Sequence, residues 1–169
     1  MANFKEKFKS GFTLVEIIVV LFVISLGLVG VLTLIIQSIQ SQSYNKNNLV
    51  AYQLAQEGIE LVRKTRDSNW KETLEFNASL VPGEYYMDYL DAVPNDASAD
   101  PDNLTILRQD ANGFYFHGPS GSGDHSGFSR RLIIEDLDAD SFRVIARISW
   151  YDHDRFYEYD LETVLYDWK

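Results

Sequence analysis

Residues Phe12 to Ile36 form one apolar run, FTLVEIIVVLFVISLGLVGVLTLII, broken only by the polar side chains of Thr13, Glu16, Ser25 and Thr33. Its twenty-five residues exceed the ~20 that cross a bilayer core as a helix, a geometry that satisfies every backbone group internally. A secretory signal peptide fits less well, because its apolar region runs only about 7–15 residues to a small-residue cleavage site. The preceding MANFKEKFKSG, residues 1–11, carries Lys5, Lys7 and Lys9 against Glu6. By the positive-inside rule this flank stays in the cytoplasm and the remaining chain lies outside the membrane.

The whole chain has 169 residues, room for roughly one ordinary domain, so a multidomain enzyme is not expected. Its net charge of −10 argues against gripping a nucleic-acid backbone, which needs clustered Lys and Arg. A local patch of Arg130, Arg131 and Arg143 keeps such binding open. With no cysteine, the chain has no disulfide scaffold, thiolate metal site or cysteine nucleophile.

Glu16 is badly placed for lipid. An acidic group deep in a membrane helix costs roughly 2.5–3.5 kcal/mol on insertion scales, unless it reaches the headgroups, is protonated, or meets a counter-charge. The segment Lys9-Ser10-Gly11-Phe12-Thr13-Leu14-Val15-Glu16 resembles the amino-terminal signature of type IV pilins and type II secretion pseudopilins: a basic leader, a glycine, a phenylalanine, and an acid fifth in an apolar helix. The resemblance implies cleavage by a prepilin peptidase between Gly11 and Phe12, and N-methylation of Phe12. It also implies a partner for Glu16, the amine of a neighbouring subunit's first residue, which would favour assembly in one register. Glycine before the cut leaves the backbone open to close approach. Unlike many major pilins, the run contains no proline; Gly27 and Gly30 are its only weak points, each costing about 1 kcal/mol of helix propensity.

No proline occurs before Pro82, so the helix is expected to continue past the membrane. Residues 37–68 read as its amphipathic continuation, with Ala51, Leu54, Ala55, Gly58, Leu61, Val62 and Thr65 on one stripe. Glu60 with Lys64 and Arg63 with Asp67 fall at i,i+4 on the polar side. A helix from Phe12 to Arg66 would be about 80 Å long, far beyond a globular core. The stretch Leu54-Ala55-Gln56-Glu57-Gly58-Ile59-Glu60, with Arg66-Asp67-Ser68-Asn69-Trp70, resembles minor pilins of the PilV/GspI type.

Residues 69–127 read as an irregular region with short strands: 83–90, then 106–110 and 114–117 about an Asn112-Gly113 turn. Residues 91–103 form an acidic loop and 118–127 a Gly/Ser loop. Residues 128–169 read as an antiparallel β meander with strands at 128–135, 142–150 and 156–168. In the middle strand Phe142, Val144, Ala146, Ile148 and Trp150 share a face. The expected fold class is therefore α+β, a long N-terminal helix packed on a C-terminal antiparallel sheet, the ladle that the resemblance implies.

No catalytic constellation emerges. The Gly/Ser loop has Asp124 where a phosphate-binding loop needs lysine. His117, His125 and His153 never fall at i,i+3 or i,i+4 and read as surface or turn residues. Asp136, Asp138 and Asp140 suggest calcium, but Ser141 and Arg147 stand where an EF-hand loop needs glycine and glutamate, so a solvated turn is expected. Calcium stays the one candidate cofactor, since some major pseudopilins bind it near their sheet.

These readings describe a prepilin-like subunit, not an enzyme, held in the cytoplasmic membrane and then moved into an extracellular or periplasmic filament. Its implied partners are the prepilin peptidase, other pilins or pseudopilins, the assembly platform and the membrane, with direct nucleic-acid binding not expected. The rivals are a single-pass anchored binding protein that does not polymerise and a membrane-tethered hydrolase using the histidines or aspartates.

Overall fold

The computed structural model describes residues 11–119 and 121–168; the rest of the basic leader lies outside them. The first element, α1, is a helix of 58 residues from Leu14 to Lys71. The chain divides into two compact units, Met1–Ser43 and Tyr44–Lys169.

In the first unit, residues 11–42 are all exposed. From Leu14 to Ile36 α1 presents apolar side chains on every side, as a helix surrounded by lipid or by other helices must. It is long and apolar enough to cross a membrane. Its hydroxyls are satisfied within the helix: Ser25 Oγ donates to the Leu21 carbonyl at 2.7 Å and Thr33 Oγ1 to that of Val29 at 3.0 Å. The helix passes through Gly27 and Gly30 without a break.

In the second unit, the rest of α1 buries the expected stripe, with Ile59, Asn69 and Trp70 added to it. It packs on a seven-stranded sheet, all of whose pairings are antiparallel. The strands are β1 (Gly83–Tyr86), β2 (Asn95–Asp96), β3 (Ile106–Gln109), β4 (Tyr115–His117), β5 (Asp124–Asp138), β6 (Ser141–Asp152) and β7 (Arg155–Tyr166); a short helix α2, Pro101–Leu104, precedes β3. The fifteen-residue β5 is the hub. Its one edge pairs with β6 from Phe128 to Asp138, and its other edge serves β3 first and β1 later, with Ile106 opposite Ser129 and Gly83 opposite Ile134. β5, β6 and β7 form the expected meander.

The predicted face of β6 is buried throughout, against Leu54, Ala55 and Val62 of α1. At Gly58 helix and sheet approach closely: an added Cβ would stand 2.8 Å from Leu132 Cδ2 and 3.3 Å from Arg130 Cδ. At the apex of the β3–β4 hairpin, Gly113 holds φ +88°, and Asp110 Oδ1 accepts the N–H groups of Asn112 and Phe114, both at 2.8 Å.

Several boundaries differ from expectation. β1 ends at Tyr86, where the chain turns inward to bury Met87. The acidic loop contains β2 and α2. The end of the Gly/Ser stretch is strand, because pairing with β3 extends β5 back to Asp124. The polar side of α1 pairs differently too: Arg63 bonds Glu60 at i,i+3, Arg66 bonds Asp67, and Lys64 Nζ donates to the Tyr89 and Asp91 carbonyls.

Candidate functional site

The candidate site at the amino-terminal end of α1 is built by local capping. Thr13 precedes the helix, and its Oγ1 accepts the backbone N–H of Glu16 at 3.2 Å. Thr13-Leu14-Val15-Glu16 therefore has the spacing of a capping box, of which the threonine half is formed. An acid in the first turn also complements the partial positive charge of the helix end, worth about 0.3–1 kcal/mol. The Glu16 carboxylate itself has no partner among the described residues. Gly11 and Phe12 lie just outside the helix, exposed, with Phe12 at 79% and, among the described residues, nothing within 4 Å of a Cβ built on Gly11. Accessible backbone outside a helix is what a peptidase needs at a cut.

The second unit carries a buried polar network that no sequence motif marks. The Arg130 side chain is fully buried. Its Nη2 donates to the Met87 carbonyl at 2.8 Å, while Glu57 of α1 stands 3.2 Å from Nη1 and Asp88 3.5 Å from Nη2. Asp88 also accepts the backbone N–H of His117 at 2.8 Å and lies 2.7 Å from its Nδ1. His117 is thus not a surface histidine; its side chain is 1% exposed. Nor do the three arginines form a basic patch. Arg130 points inward, Arg131 outward to Glu84 and Asp102, and Arg143 to Glu135. Strand alternation at 130 and 131 could have revealed that split; the partners on α1 and in the loop after β1 could not be read locally.

The aspartate run lies at the β5–β6 turn: Asp136 and Asp138 end β5, opposite Phe142 and Ser141, with a register shift between them, and Asp140 lies in the turn itself. All three are exposed, and no group of three potential ligands for a metal ion is present among the described residues. Charge is organised instead on the outer face of the meander. There Asp160 bonds Arg147 twice, at 2.9 and 2.7 Å, and this holds the guanidinium above its ordinary value.

Residues 7–32 match the prokaryotic N-terminal methylation motif. The match supports the type IV pilin-like signature carried by Gly11, Phe12 and Glu16, and with the long apolar helix it is consistent with membrane anchoring. No curated protein and no solved structure matches the chain significantly.

Proposed function

We propose that the chain is a prepilin-like structural subunit, not an enzyme. It is cut by a prepilin peptidase between Gly11 and Phe12, methylated on Phe12, and assembled through α1 with other pilins on a type IV pilus or type II secretion platform. The observation that carries this reading is the methylation motif over residues 7–32, with Glu16 fifth after the glycine in a helix that its own chain leaves uncovered. An apolar surface exposed all round must be covered, first by lipid and then by sister helices. Glu16, without a partner among the described residues, gains when a neighbour brings the amine of its Phe12. The route runs from the cytoplasmic membrane, with the leader inside and the β-sheet domain outside, to an extracellular or periplasmic filament.

Within that class the reading is a minor, tip-located or priming subunit of the PilV/GspI type. Loss of the leader removes three lysines and one glutamate, leaving twelve basic against twenty-four acidic side chains, a net of −12. Domains so acidic repel over about 8 Å at physiological salt, which suits sparse incorporation. Processed chains that form dense filaments without other pilins would contradict this. Calcium at Asp136, Asp138 and Asp140 is not part of the proposal. The test is Gly11→Leu in cells that contain a prepilin peptidase: the full-length form should accumulate in the membrane. Unchanged maturation would favour a plain anchored protein.

A further inference from the structure

The outer face of the meander, turned away from α1, carries three ordered cross-strand rows. Arg131 of β5 stands opposite Arg147 of β6, which faces Asp160 of β7; Ser129 stands opposite Ser149, which faces Glu158; and Tyr151 faces Phe156 beside Gly127. Together with Asp102 of α2 and Ile106 of β3, these rows apart from Asp160 line a groove of about 430 Å³, within the range of small-ligand sites.

Each row departs from what a merely solvated sheet face requires. Two arginines directly opposite each other are a destabilising pair, offset here because Glu84 and Asp102 hold Arg131 while Asp160 and Glu158 hold Arg147. The two guanidinium groups are thereby held between four carboxylates. The Ser149 hydroxyl is half-buried and has no hydrogen bond among the described residues, while that of Ser129 lies 2.7 Å from Thr105 Oγ1. Tyr151 and Phe156 are 71% and 56% exposed, with ring centroids 5.3 Å apart.

We infer that this groove is a binding site for a neutral oligosaccharide. A sugar ring offers an apolar C–H face to an aromatic platform and a rim of hydroxyls to planar, fixed donors and acceptors. The groove supplies both, and its two guanidinium groups are already held by carboxylates, so they are not free to select an anion. A peptide laid on a sheet as an added strand uses free backbone groups. Here the floor lies toward the β6–β7 turn, where Ser129, Ser149 and Glu158 stand in one paired row of the ladder, so recognition there runs through side chains. All its residues belong to the second unit, and the inference stands whether or not the chain polymerises.

The test is an NMR or calorimetric titration of the full chain in lauryldimethylamine oxide, a detergent without a sugar head. The probes are the hexasaccharides of cellulose, starch, chitin, mannan and laminarin. At least one should bind with a dissociation constant at or below about 1 mM. The double variant Tyr151→Ala/Phe156→Ala, at exposed positions, should weaken that binding at least about tenfold, and Ser149→Val should weaken it less. The inference is overturned if none of the five binds, or if binding is the same in the double variant. It is equally overturned if a polyproline peptide binds the groove while the sugars do not.

Discussion

Glu57 of α1 reaches across to the buried guanidinium of Arg130 on β5, Oε2 standing 3.2 Å from Nη1. Asp88 holds the same guanidinium from the other side and passes the contact on to His117. Removing the cation leaves Asp88 desolvated without its counter-charge. Arg130→Ala should therefore cost about 3–5 kcal/mol. Glu57→Gln, at a partly exposed partner, should cost no more than about 1 kcal/mol. Urea unfolding of the detergent-solubilised chain measures both, and equal costs would contradict the network.

Gly58 sets the spacing between α1 and β5. Alanine there gains about 1 kcal/mol of helix propensity, but its methyl must displace Leu132, which is fully buried. Gly58→Ala should be close to neutral, and Gly58→Val should lose about 1–3 kcal/mol through overpacking. Thermal melts of the two variants check the order.

The Asp110 carboxylate accepts the Phe114 N–H, and with further bonds from Asn112 and Gly113 this holds its pKa below the usual aspartate value of about 3.9. A lowered folded pKa means that the contribution is present above the unfolded value and is lost as pH falls through the folded one. The β3–β4 turn should thus stay ordered at pH 4 and loosen only below that. Carboxyl-carbon NMR shifts of Asp110 against pH test this, and titration at or above the ordinary value would contradict it.

Glu16→Val should leave cleavage intact, because the cut lies outside the helix, but should prevent incorporation into filaments. The dipole contribution lost is only about 0.3–1 kcal/mol, too little to abolish the helix, so a failure to assemble would reflect the missing counter-charge. Membrane fractions separate cleaved from uncleaved chain, and sheared filaments report incorporation. Normal incorporation of the variant would exclude the pairing role of Glu16.

Much of this fold was legible because two periodicities are strong. The run Phe12–Ile36 and the stripe from Ala51 to Thr65 announce one helix, and the alternation from Phe142 to Trp150 gives the buried face of β6 directly. What stayed hidden depends on distant partners. Nothing near Arg130 in sequence indicates Glu57 or Asp88, and nothing in the Gly/Ser stretch indicates that pairing with β3 turns its end into strand. The outer rows were half legible: alternation puts Arg147, Ser149 and Tyr151 on one face, while their alignment with Ser129, Arg131 and Phe156 needed the register.

Mass spectrometry of the amino-terminal peptide, taken from the chain in membranes that contain a prepilin peptidase, tests the central claim most directly. The account predicts a mature chain that begins at Phe12 and carries one added methyl group on its amine. A chain that retains the residues before Phe12, or begins at Phe12 without the methyl group, would contradict it.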